Sequence, residues 1–214
     1  MRRDRMIRLL TAGFLALSGT GCAETTGAAM PERTAQAGGW RTAGCEFKRP
    51  PLHTMVGGAR MPITPARLGA AMERIERGGL DRFAASYAGI EVDQLRVRAI
   101  VYRVPSAEFD DFVRHSAQDN CIVVRDAAHA VSELGSWHDQ VVADLPYWSE
   151  QGVRIVTVGS RHDGVGVEIG TRDLDQARRK LPARYGVEAP LVFIEEGPVT
   201  PRTTGPALVP ESGG

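Results

Sequence analysis

The chain has 214 residues, is 43% hydrophobic and 24% charged, and carries 26 basic against 26 acidic side chains. That composition is globular and large enough for one sizeable core or two small ones. A net charge of zero leaves no electrostatic footprint for nucleic acid, so no nucleic-acid partner is expected.

The chain opens with MRRDRMIR, a basic segment, followed by the short apolar run Leu9 to Leu17. This is the layout of a secretory signal, and the run is too short for an ordinary membrane-spanning helix. The plainer reading is a buried core helix; the basic flank and the N-terminal position favour export. The run ends in Ser18-Gly19-Thr20-Gly21-Cys22. Small residues ahead of a cysteine at this point resemble the lipobox of bacterial lipoproteins, although Gly19 stands where that family usually has leucine. The resemblance implies a diacylglycerol on the Cys22 thiol and cleavage that makes Cys22 the mature N-terminus. It further implies a membrane partner reached through that lipid and a location on the outer face of the cell membrane. The alternative is a secreted, soluble protein.

Three cysteines, Cys22, Cys45 and Cys121, are an odd number for an exported chain. Lipidation of Cys22 removes the odd one and leaves Cys45 and Cys121 free to form a disulfide; two separated thiols are the alternative.

From Ala23 to Gly39 large apolar residues are scarce, which predicts a flexible tether. Trp40 to Met61 reads as irregular, broken by Pro50-Pro51 and Gly57-Gly58. A helix is expected from Thr64, its cap, with Pro65 in the first turn, an apolar stripe of Leu68, Met72 and Ile75, and Gly78 ending it. Two strands follow, AGIEVD and QLRVRAIVYRVP, with Leu95, Val97, Ala99 and Val101 alternating against Arg96 and Arg98. Pro105 and Ser106 open a helix carrying Phe109, Phe112 and Val113, and CIVVRD is a short buried strand. A linking segment, Ala127 to Gln151, has a helical stripe of Val131, Leu134, Val141, Val142, Leu145 and Trp148, split or kinked at Pro146. Strands VRIVTVGS and GVGVEIGT, a helix opened by an Asp173–Gln176 capping box, and the strand PLVFIEE complete the order.

The expected fold is therefore α+β: two β-β-α-β units joined by a kinked helical segment and preceded by one helix. The boundaries are a signal peptide 1–21, a tether 22–39, a folded region 40–199 with tandem halves near 80–127 and 152–199, and a disordered tail 200–214. Duplication and the reuse of common α+β building blocks both account for the repeated order. The SYAGIEVD strand with its later β-α-β unit resembles the prosegments of secreted chymotrypsin-like bacterial proteases. That likeness implies an inhibitor or folding chaperone for a separate protein partner.

GSWHDQV (Gly135 to Val141) and GSRHDGV (Gly159 to Val165) each hold a serine, a histidine and an aspartate. A helix turns about 100° per residue. On the linking helix this puts Ser136 about 200° from His138, so the two cannot pair. His138 is expected at the edge of the core. Asp163-Gly164 between two strand patterns signals a hairpin turn, with His162 exposed on the way into it. The heptads fall at non-equivalent points of the repeat, Asp163-Gly164 matching Asp93-Gln94. A hydrolase using His138, His162 or Asp163 in a composite site is the enzymatic rival. No nucleophile elbow, phosphate loop or metal-ligand spacing occurs, and His115, His129 and His138 lack ligand spacing, so no metal or cofactor is expected. The reading leans away from catalysis, toward an extracytoplasmic binding or regulatory domain with a protein partner in the cell envelope.

Overall fold

The structure, a computed structural model, describes residues 38–197. Cys22, the signal segment, most of the tether and the tail lie outside the described residues. The fold is α+β, and the two β-β-α-β units are present. Strand β1 (Trp40–Arg41) leads through a short 3-10 turn (Ala43–Glu46) to the hairpin of β2 (Leu52–Val56) and β3 (Ala59–Ile63). Helix α1 (Ala66–Arg82) precedes the first unit: β4 (Tyr87–Asp93), β5 (Arg98–Arg103), α2 (Ala107–Ala117) and β6 (Ile122–Asp126). Helices α3 (Val131–Ala143) and α4 (Leu145–Glu150) precede the second: β7 (Ile155–Ser160), β8 (Val167–Thr171), α5 (Leu174–Tyr185) and β9 (Leu191–Glu195).

The units share one topology, and their hairpins and helices match residue for residue. In each, the first two strands are antiparallel and the helix crosses over to a third, parallel strand. Tyr87 pairs with Arg103 and Ile155 with Thr171, so both strands of the hairpin recur after 68 residues. Each first strand carries an irregularity at the same place, skipping Ala88 in one and Val156 in the other. Buried Phe109, Val113 and Ala117 of α2 recur, again after 68 residues, as Ala177, Leu181 and Tyr185 of α5. β1 adds a fourth strand to the first sheet, in the order β1-β6-β5-β4, whereas the second sheet is β7-β8-β9.

Each sheet packs its own core. The first gathers Leu68, Ile75, Tyr87, Val101, Phe109 and Ile122 among others; the second gathers Leu134, Val141, Trp148, Ile169 and Leu181. Leu134, Val141 and Trp148 follow one another at seven-residue steps and are fully or almost fully buried, so the linking stripe is narrower than its hydrophobicity suggests, with Val142 exposed. The break falls at Asp144, and Pro146 sits in the first turn of α4, where its missing N–H costs nothing.

Several expectations are corrected. Gly78 does not end α1, which runs on to Arg82. A Cβ on Gly78 would lie 2.2 Å from the Phe112 ring and one on Gly79 2.5 Å from the Tyr87 ring, so the glycines admit aromatic side chains. Thr64 accepts a hydrogen bond from Gln94 and does not cap α1. Residues 94–97 are the turn of the β4–β5 hairpin, with Leu95 exposed; the strand alternation begins only at Arg98. Asp173 caps no backbone N–H of α5; its carboxylate accepts from the Arg154 backbone. Within the span Trp40 to Met61, read as irregular, begins a hairpin of residues 52–63 whose turn is Gly57-Gly58, both at positive φ.

The halves meet at the tip of the β7–β8 hairpin. Gly164 (φ +68°) is buried there, and its carbonyl accepts from the His129 backbone. A Cβ on Gly164 would fall 2.6 Å from both Ala127 and the His129 carbonyl, and one on Gly89 of β4 would fall 2.2 Å from the His162 carbonyl. These glycines let two backbones come together.

Candidate functional site

A disulfide joins Cys45 to Cys121, with 4.2 Å between their α-carbons. It fixes the 3-10 turn to the loop between α2 and β6. Gly44 makes that approach possible, since a Cβ there would stand 2.4 Å from the Asp119 carbonyl. Thr42 completes the join: its hydroxyl donates to the Asn120 carbonyl and accepts from the Ile122 N–H.

The loop thus held is one wall of a cavity of about 740 Å³, within the range of small-molecule sites. The other walls are Pro50 and Leu52 ahead of and in the hairpin, the first turns of α1, and Val97. Two residues of the lining, Val97 (φ +50°) and Gln118 (φ +51°), are the non-glycine residues at positive φ among those described. A β-branched residue in that region is a true outlier, and such backbone strain clusters at functional sites. Val97 is held by burial and by its N–H bond to the Gln94 carbonyl.

Apolar side chains make most of the lining, and Arg49, Arg67 and Arg74 supply its cations, against one carboxylate, Asp119. Arg49 donates to the Asp119 carbonyl and Arg74 to that of Ser116, so each is positioned by a neutral acceptor. Asn120, buried beside them, donates to the Ala117 carbonyl. Arg49 also lines an adjoining groove of about 380 Å³ with Arg41, Lys48, Arg96, Arg98 and the two disulfide cysteines. Asp93 tempers this groove. Burial alone would raise its carboxyl, but hydrogen bonds from Arg96 and Arg98 outweigh that and hold it below the usual carboxylate range. Chemically, the two cavities offer an apolar slot opening beside fixed guanidinium groups, which suits a ligand with an apolar body and an anionic head.

The histidines and acid named from the sequence lie elsewhere. His138, half-buried at the edge of α3, contacts its neighbour Asp139 at 3.0 Å, and Ser136 donates to the Ser132 carbonyl. His162, exposed at the β7–β8 tip, meets Glu91 of β4 at 3.1 Å, and Glu91 also accepts from the Tyr102 hydroxyl. Burial first, and then this bond to Glu91, raise the Tyr102 phenol. Asp163 is bound by Arg161, whose hydrogen bonds hold its carboxyl below the ordinary range. No hydrogen bond among the described residues joins Ser136, His138, His162 or Asp163 to another of the four. Among the described residues no three His, Cys, Asp or Glu side chains converge as a metal site, and no helix is long and apolar enough to cross a membrane.

From the sequence, Pro50, Pro65, Leu68 and Val97 of the larger cavity read only as structural residues, and none of its lining reads as a site residue. Two signals could have pointed there. Gly57-Gly58 sits between two runs of strand-forming residues, a strong hairpin signature. From Phe47 to Met72 there is no acidic residue, while Lys48, Arg49, Arg60 and Arg67 fall within that span. Comparison with known protein families, with characterised proteins and with solved structures gives no match.

Proposed function

We propose that the chain is an exported lipoprotein of the cell envelope, anchored through Cys22, whose α+β domain is a non-catalytic binding module. Its ligand is a small amphipathic anion held in the arginine-rimmed cavity between α1, the β2–β3 hairpin and the α2–β6 loop. The cavity carries this reading: apolar walls, three guanidinium groups and two strained residues converge there. The Cys45–Cys121 disulfide is consistent with an oxidising, extracytoplasmic compartment. Lipidation rests on the signal pattern ending at Cys22 and on the odd cysteine it accounts for. Stable anchoring by this route takes at least two acyl chains, which a diacylglycerol provides.

Two measurements test the parts separately. Mass spectrometry of the mature protein should find Cys22 as the N-terminal residue with a diacylglyceryl addition; another N-terminus removes the anchor. Calorimetric titration with dodecyl phosphate should show binding that weakens about tenfold in Arg67→Ala, the loss of one charge-assisted contact. Equal binding of dodecyltrimethylammonium, or no effect of Arg67→Ala, rules out the anionic cavity.

A further inference from the structure

The β2–β3 hairpin has no role in either core, and its composition is unusual for an exposed element. Register places Leu52 opposite Ile63, Thr54 opposite Met61 and Val56 opposite Ala59, so these six share one face. All six are exposed, Val56 at 61% and Met61 at 50%. Twelve large hydrophobic side chains are exposed among the described residues, and six of them fall between Phe47 and Ile63, so the apolar exposure is concentrated here. The hairpin's backbone makes no hydrogen bond to another element among the described residues. A lone two-stranded hairpin is marginal in water, and a cluster of exposed apolar side chains marks an interaction surface.

Charge specifies the occupant. The chain as a whole is neutral, yet the span Phe47 to Met72 holds Lys48, Arg49, Arg60 and Arg67 and no acid. A second copy docking through this face would set these cations against their own images, which disfavours self-association. An apolar protein groove would account for Leu52, Val56, Met61 and Ile63 but not for the cations. A surface that is at once apolar and anionic accounts for both.

We infer that the β2–β3 hairpin rests in the interface of an anionic lipid bilayer, its Leu52–Ile63, Thr54–Met61 and Val56–Ala59 face toward the acyl chains, with Arg60 on the opposite face and the preceding Lys48 and Arg49 among the headgroups. The inference adds a second membrane contact to the proposed lipoprotein and rests on that reading only for proximity. Fifteen residues separate Cys22 from Gly38, a reach of at most about 55 Å, so an anchored chain can bring the hairpin to the surface. Depth is limited by the backbone. Both hairpin edges carry unpaired N–H and C=O groups, which cannot enter hydrocarbon, so the contact is shallow. Basic residues near an anionic surface add attraction that salt screens. The cavity entrance, which shares Leu52 with the hairpin, would then face the headgroups.

The test uses the full chain with Cys22→Ser and Val56→Cys, labelled at position 56 with an environment-sensitive fluorophore. It is reconstituted with vesicles of phosphatidylcholine, or of phosphatidylcholine and phosphatidylglycerol in equal amounts. On the anionic vesicles the emission should shift to the blue and be quenched by lipids brominated near the glycerol but not by those brominated at the chain end. A label at Val187→Cys should remain water-like. Arg49→Glu with Arg60→Glu should reduce the quenched fraction more than about tenfold. A water-like label at position 56, equal quenching at positions 56 and 187, equal quenching on neutral vesicles, or a shift produced by added unlabelled chain without vesicles would each overturn the inference. Because the Cys22→Ser variant cannot be lipidated at position 22, failure of the lipidation test leaves the readout standing. A water-like hairpin, conversely, leaves the cavity reading untouched.

Discussion

The β4–β5–α2–β6 and β7–β8–α5–β9 units carry the same register and the same bulge, yet they solve the interior differently. At the end of β5, Arg103 is fully buried and ion-paired to Asp110 of α2 and Asp126 of β6. At the matching place in β8 stands Thr171, equally buried, whose hydroxyl donates to the Arg154 carbonyl and accepts from the Asp173 N–H. The position matching Asp110 is Arg178, which is exposed. One topology thus accepts a buried ion cluster or a neutral hydroxyl. The backbone register fixes which positions point inward, and the side chains there must only satisfy one another.

The largest expected difference between the units lies in that cluster. Asp110→Ala removes a partner from a buried guanidinium and should lower the unfolding free energy by about 3–5 kcal/mol. Thr171→Val, which loses hydrogen bonds but no charge, should cost about 1 kcal/mol. Urea unfolding of the two variants compares them directly; equal losses would show that the charges do not distinguish the halves. Replacing Arg103 and Asp110 together by Met and Leu should recover most of the loss.

Next in size is the disulfide, which ties the 3-10 turn to the first unit and has no counterpart on the second among the described residues. Cys45→Ser with Cys121→Ser opens a loop of 76 residues and should cost about 2–4 kcal/mol. Hydrogen exchange should show the loss in β1, β6 and residues 118–121, with β7, β8 and β9 keeping their protection. Uniform deprotection would mean that the halves unfold as one unit.

The repeat order was legible in the sequence because it depends on local signals. Ser106 does cap α2, accepting from the Phe109 N–H, and Asp163-Gly164 does turn the β7–β8 hairpin. The glycines and the buried charges were not legible. Gly78 and Gly79 have the same local preference whether a ring packs on them or the helix stops, and Phe112 and Tyr87 decide the matter from 34 and 8 residues further along the chain. Arg103 in a strand pattern and Asp110 in a helical one look like ordinary surface charges; only the sheet-to-helix crossing brings them together. The cavity is assembled from four separate stretches, so no window of sequence contains it. Cys45 and Cys121 were legible by counting, which needs no geometry.

A smaller effect tests the joint between the halves. Gly164→Ala puts a methyl against Ala127 and the His129 carbonyl at φ +68°, and should cost about 1–3 kcal/mol. Gly159→Ala, also in the β7–β8 hairpin, meets nothing within 4 Å and should change stability by less than about 0.5 kcal/mol. Thermal unfolding of the pair separates a specific contact at the tip from a general need for glycine in the hairpin.

The smallest effect concerns the hairpin turns, where the charges are exchanged. In the first unit one acid, Asp93, holds Arg96 and Arg98; in the second one base, Arg161, holds Asp163 and Glu168. The Asp163 carboxyl sits below its ordinary value chiefly because Arg161 donates to it. A depressed folded-state value means that this stabilisation is complete above the unfolded value, about 3.9, and is lost as pH falls through the lower folded one. Asp163→Asn should therefore flatten the acid limb of the stability curve below about pH 4, by no more than about 1 kcal/mol for a pair this open to solvent. Asp93→Asn should flatten it as well, since Arg96 and Arg98 depress that carboxyl in the first unit. If only one substitution alters the acid limb, the exchange of charges is not neutral. The turn that responds is then the one whose ion pairs contribute to folding.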